Sequence, residues 1–164
     1  MLKGGDKHNA IPRLATAFLA IAPEKKENFC AELRNKMNSI KQEFGRVEPT
    51  MEITFADADP FSHVLSTEAE NKVLSLLKVL PHGVLAMNPD IANFVNTSNN
   101  LAKVTFTEEQ CCVHTSTRSS IKDALESVRE RIAAAGRLAS AKISQHETYP
   151  GWKPNLSSPL LEVV

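Results

Sequence analysis

Between residues 29 and 44 the apolar positions Phe29, Leu33, Met37, Ile40 and Phe44 recur at intervals of three or four. That interval draws one stripe along a helix. Pro23 suits the first turn of this helix, Glu24 and Glu27 favour its positive end, and Gly45 is expected as its left-handed stop. Upstream, LATAFLAIA (Leu14 to Ala22) is apolar without polar alternation, which predicts a well-buried strand. Downstream, MEITFADA alternates Met51, Ile53 and Phe55 with polar residues, which predicts a strand with one solvated face. ADADPFSH (Ala56 to His63) reads as a loop. A second helix is predicted from Thr67, whose hydroxyl forms a capping box with Glu70. Val73, Leu76, Leu77 and Leu80 are its core face, and Pro81 ends it.

From Pro81 to Asn100 the chain reads as turn-rich, punctuated by PHG and NPD. LAKVTFTEEQCCVHTSTRS then predicts a hairpin. Val104 and Phe106 alternate with polar neighbours, Thr107 to Gln110 turns, and Cys111 to Thr117 returns. Ser120 and Asp123 are expected to cap a third helix with the stripe Leu125, Val128 and Ile132, ended by Gly136. ASAKISQHETYP predicts a last strand. The order strand–helix–strand, helix, strand–strand–helix–strand implies an α+β fold: a mainly antiparallel sheet with helices packed on one face, as in a ferredoxin-like open sandwich.

Composition narrows the class. A chain of 164 residues with 42% hydrophobic content suits one compact domain, or two small lobes sharing a sheet. Nineteen basic residues balance nineteen acidic ones, so there is no general attraction to phosphate backbones or anionic lipid, and neither nucleic acid nor a membrane is expected as partner. No run approaches the roughly 18 apolar residues of a membrane span, and the first residues lack the apolar centre of a signal peptide. The three cysteines, Cys30, Cys111 and Cys112, form no C-x-x-C pair, and adjacent cysteines on a strand point to opposite faces. Free thiols in a reducing cytoplasm are the expectation.

Motifs for catalysis are scarce. His8, His63, His82, His114 and His146 are scattered, with no H-E-x-x-H. Gly4-Gly5 lacks the frame of a phosphate-binding loop, no Ser lies in G-x-S-x-G, and Asp57 with Asp59 reads as loop acidity. Two features stand out. Arg118 lies where the hairpin's return strand leaves the sheet, and its guanidinium there can fork onto a carboxylate in two parallel hydrogen bonds; a solvated strand end is the plainer alternative. YPGWKP (Tyr149 to Pro154) holds the chain's single Tyr and single Trp, its two prolines fix the backbone around the Gly-Trp step, and it reads as a stiff connector.

Four stretches occur here in an order shared with a known family: GGDKHNAIPR, PHGVLAMNPDIANFVNTSNNLA, the strand leading into TRSS, and YPGWKPNLSSPLL. Together they resemble the zinc-dependent aminoacyl-histidine (Xaa-His) dipeptidases, cytosolic metallopeptidases with a catalytic domain and an inserted lid, over nearly the whole chain. The resemblance implies that residues 1–148 are most of the lid, or dimerisation, domain, without its first strand and helix. Residues 149–164 would be the hinge back to a catalytic domain lying outside this sequence. It implies no cofactor bound by this chain, zinc in the parent enzyme's catalytic domain, a dipeptide substrate, that catalytic domain as partner, and a homodimer. Carried over position by position, Asn9 of NAIPR and Arg118 are the substrate-binding residues, reaching into the cleft to hold the dipeptide's C-terminal carboxylate or backbone. No catalytic or metal-binding residue is implied here. Leu14, Asn99 and Ala102 depart from the family's Glu, Leu and Gly. The alternatives are a stand-alone α+β protein-interaction module without activity, and a small self-contained cysteine or metal enzyme.

Overall fold

The structure is a computed structural model that describes residues 1–60, 62–107, 109–149, 151, 155 and 157–159. The chain forms two compact units. One comprises Met1 with Phe18–Val64, the other Leu2–Ala17 with the residues from Leu65 onward.

The first unit carries α1 (Lys26–Phe44), preceded by a single 3-10 turn at Pro23–Lys25. Phe29, Leu33, Met37 and Ile40 of its stripe are half-buried, as is Cys30, and the rest of the helix, Phe44 included, is exposed. Gly45 is right-handed (φ −59°) rather than the expected left-handed stop, because the chain continues into further helical turns through Val47 and Glu48 hydrogen bonds to the Phe44 carbonyl. The strand expected at Met51–Phe55 does not form. Met51 and Ile53 are half-buried and alternate with exposed neighbours, but no strand among the described residues of this unit offers them a ladder.

The five strands among the described residues belong to the second unit: β1 (Leu2–Gly4), β2 (Ala15–Ala17), β3 (Gly83–Met87), β4 (Val95–Phe106) and β5 (Cys111–Ser119). Every pairing is antiparallel. β5 occupies one edge of β4 from Thr97 to Phe106. A strand has two edges, so the other is shared end to end by β3, against Val95–Asn99, and β1, at Val104. β2 lies outside β1. Two helices, α2 (Thr67–Val79) and α3 (Lys122–Leu138), complete the unit; α3 packs against β5 and α2 against α3. The α+β open sandwich is therefore as the pattern predicts.

The core lies under β4 and α3, at Ala102, Val104, Ala133 and Ala135, closed by Leu80 at the end of α2. Three polar residues are buried with them: Asn96, Thr97 and Asn99. This explains why residues 81–100 read as turns. The first half of β4 is polar and buried, which a hydrophobic pattern scores as loop. The predicted hairpin from Val104 through Thr107–Gln110 to Thr117 is present; Thr107 bonds back to Gln110 across its turn.

Other expectations are corrected. LATAFLAIA contributes only Ala15–Ala17 as strand, and all three residues are exposed, on an edge strand that among the described residues pairs with β1 alone. The cap of α2 is Ser66, whose Oγ accepts from the Ala69 N–H at 3.2 Å, not Thr67 with Glu70. α3 begins after Ile121 with no side-chain cap, and Ser120 is instead bonded to Asn96. The helix also runs through Gly136 to Leu138. Ser140 takes the left-handed conformation (φ +59°), and the N–H groups of Ser140 and Ala141 bond the carbonyls of Arg137 and Gly136, a Schellman termination. The chain beyond is not a strand. It runs back along α3, where Arg129 Nη2 donates to the His146 carbonyl at 3.1 Å and Gln145 Nε2 to the Arg129 carbonyl at 3.3 Å. Ile143 closes over Gly136, where any Cβ would overlap its Cδ1.

Candidate functional site

Side chains alternate across a strand, so the β4–β5 register sorts residues into two faces. Thr97, Asn99 and Leu101 lie opposite Ser119, Thr117 and Thr115 on one face; Ser98 and Asn100 lie opposite Arg118 and Ser116 on the other. Hydrogen bonds confirm the first set: Thr97 Oγ1 with Ser119 Oγ at 2.9 Å, and Thr117 Oγ1 donating to Asn99 Oδ1 at 2.7 Å. Asn99, 2% exposed, also donates through Nδ2 to the Pro81 carbonyl beyond α2 at 2.6 Å, so this face is the covered one. The second face carries the exposed Arg118 and His114.

The turn holding Asn9 arises at the end of β1. Gly5 is left-handed (φ +68°), and a Cβ at this position would overlap the Ala102 carbonyl oxygen. Ala102 is the extra residue of a bulge in β4, between the pairs Leu101–Thr115 and Lys103–His114. Gly5 N–H bonds the Leu14 carbonyl at 3.2 Å, closing residues 6–13 into a loop. Asn100 reaches from the second face to the tip of that loop, its Nδ2 donating to the Ala10 carbonyl at 2.7 Å. Asn9, the next residue, is exposed, as are Ile11 and Leu14 at 74% and 76%.

The Asn9 turn is thus tied to Asn100, whose side chain shares a sheet face with Arg118. Asn100 stands opposite Ser116, and Arg118 is one side-chain repeat further along β5, roughly 7 Å away. Among the described residues neither the Asn9 amide nor the Arg118 guanidinium has a hydrogen-bond or ion-pair partner, and no group of three His, Cys, Asp or Glu side chains could hold a metal ion. His82 and His63 are engaged locally: His82 Nδ1 accepts the Leu101 N–H at 3.0 Å, and His63 Nδ1 lies 2.9 Å from Ser62 Oγ. Chemically, the second face offers an exposed guanidinium and, on the loop tethered by Asn100, an exposed amide, with the Ser98 and Ser116 hydroxyls and the His114 imidazole on the same face.

Sequence reasoning picked out Asn9 and Arg118 but missed Asn100, Gly5 and Ala102 as the parts that place the turn. The Asn99-Asn100 pair inside a strand was the available signal, since buried asparagines are kept for specific hydrogen bonds. Pro150 and Trp152–Pro154 of YPGWKP, the expected connector, lie outside the described residues.

In sequence and in fold the chain is similar to segments of two longer dipeptidases. In particular, the chain is 30% identical over 162 residues to the cytosol non-specific dipeptidase of Escherichia coli (strain K12), a match covering 98% of this chain and 33% of that protein. It superposes on the aminoacylhistidine dipeptidase of Vibrio alginolyticus with a TM-score of 0.93 at 26% identity, over 99% of this chain and 33% of that one. The resemblance read from the sequence is borne out by both. The chain spans about a third of the length of these relatives. No protein-family model matches it.

Proposed function

We propose that the chain is the lid of a metallodipeptidase acting on Xaa-His and other dipeptides, and that Asn9 and Arg118 hold the C-terminal carboxylate of the substrate. The observation that carries this reading is the tie between the Asn9 turn and the sheet face of Arg118, through Asn100 and the Ala10 carbonyl. An arginine fork binds a carboxylate in two parallel hydrogen bonds, and a neighbouring amide can donate to it or to the peptide backbone. Gripping one end of a short peptide orients the scissile bond and limits substrate length. Closing the lid over the peptide would exclude water and strengthen the grip.

Zinc, the metal of the family this chain resembles, does not fit here: the described residues assemble no ligand set, and His82 already accepts a backbone N–H. The metal centre belongs to a catalytic domain reached through residues 149–164, and the lid role includes pairing with a second copy in a cytoplasmic homodimer. The test has two parts. The chain alone hydrolyses no Xaa-His dipeptide and binds no stoichiometric zinc; turnover above a metal-only control overturns the reading. Joined to its catalytic domain, Arg118→Ala lowers kcat/KM for a dipeptide by about 2–5 kcal/mol, the range for breaking a desolvated charge pair. An unchanged kcat/KM removes Arg118 from the site.

A further inference from the structure

Among the described residues, Asn100 is the one whose side chain is hydrogen-bonded from the sheet to the Asn9 turn, over a separation of 90 residues in sequence. Its amide orientation follows from chemistry: the Ala10 carbonyl can only accept, so the atom 2.7 Å away is the Nδ2 donor. That leaves Oδ1, which is buried and has no hydrogen-bond partner among the described residues. A buried acceptor without a donor lowers stability, and an apolar side chain would avoid that cost. Asn99 makes the contrast plain. It is more deeply buried, but both ends of its amide are engaged, with the Pro81 carbonyl and the Thr117 hydroxyl. Asn99 holds the covered face together; Asn100 spends its single hydrogen bond on a loop.

Among the described residues, the loop's other hydrogen bond and its close approach to β4 lie at its base. Gly5 against Ala102 and Gly5 N–H to the Leu14 carbonyl hold the two ends. Ala10 is the only tip residue of the loop bonded to the sheet among the described residues. Without Asn100, Asn9 would hang from a loop closed at its base alone, and its direction relative to Arg118 would be lost.

We propose that Asn100 is a positioning residue for peptide binding: through Ala10 it sets where the Asn9 amide points above the sheet face that carries Arg118. This rests on the carboxylate-holding role given above to Asn9 and Arg118. Asn100 does not itself touch the peptide.

The experiment uses the isotope-labelled chain, titrated with glycyl-histidine and separately with its C-terminal amide, with binding followed by NMR. The wild-type chain prefers the free carboxylate. Asn100→Ala loses most of that preference, and the Asn9→Ala/Asn100→Ala double variant loses no more than Asn9→Ala alone, because both changes remove the same contact. Backbone order of residues 8–11 falls in Asn100→Ala, while the β4–β5 amides keep their protection from exchange. Asn100→Ser, too short to reach Ala10, gives the same result and serves if the alanine variant is poorly folded. A purely structural role would not change the ratio of carboxylate to amide affinity. The proposal is overturned if Asn100→Ala and Asn100→Ser keep the preference that Arg118→Ala removes. If the wild type shows no preference, or Arg118→Ala keeps it, the carboxylate reading fails and takes the role of Asn100 with it.

Discussion

Gly5 shows how a single position can carry both backbone conformation and space. Its positive φ strains any L-residue by about 1–3 kcal/mol, and a Cβ there would collide with a backbone carbonyl, which cannot rotate away as a side chain can. Gly5→Ala is therefore expected to lower unfolding free energy by at least that amount in denaturant titration. A loss below about 0.5 kcal/mol, the scale of neutral surface changes, would mean the loop relaxes freely. Helix capping offers a second test at this scale. Ser66→Ala removes the Oγ that accepts from Ala69 and costs about 1 kcal/mol, whereas Thr67→Ala, at the position a capping box would favour, leaves stability almost unchanged. Equal effects at both positions would return the cap to Thr67. From sequence both residues satisfy the same rule, and they differ only in which one stops being helical.

Among the elements, β4 decides the architecture. It is the strand to which β1, β3 and β5 all pair, and its bulge at Ala102 opens the gap between β3 and β1 where Gly5 approaches. Its second half was legible because Val104 and Phe106 alternate with polar residues. Its first half was not, because Asn96, Thr97 and Asn99 are buried for their hydrogen bonds rather than their hydrophobicity. Asn99→Leu leaves the Thr117 hydroxyl and the Pro81 carbonyl unpaired and is expected to cost about 1–3 kcal/mol. Adding Thr117→Val should recover part of this, since replacing both partners of a buried hydrogen bond by apolar groups is nearly neutral. Strict additivity of the two substitutions in thermal unfolding would show that the side chains do not interact. The helices were the easier elements: their stripes were visible at the right spacing, and only their ends moved.

For the whole molecule, stability in alkali is tied to the hairpin. The Cys111 thiol is held above its ordinary value of 9.0, by burial first and by the neighbouring Cys112 second. With the folded value raised, the unfolded chain releases this proton first. The contribution is full below the ordinary value and is lost as pH rises from there through the raised one. The melting temperature of the wild type should fall more steeply across this window than that of Cys111→Ala, and Cys111 should be alkylated slowly near neutral pH because little thiolate is present. Parallel slopes in the two proteins would show that the thiol titrates alike in both states.

The sequence by itself determined the fold class, the three helices, the hairpin from Val104 to Thr117, and, through resemblance, Asn9 and Arg118 as the residues to examine. Those follow from short-range periodicity and local motifs, which a linear chain displays directly. Only the tertiary structure decided that Arg118 and the loop tether share a sheet face, that Asn100 crosses 90 residues to hold the Asn9 turn, and that residues 141–149 run back along α3 instead of joining the sheet. Register, strand edges and buried amide pairings depend on which distant segments meet, and no local pattern encodes that meeting.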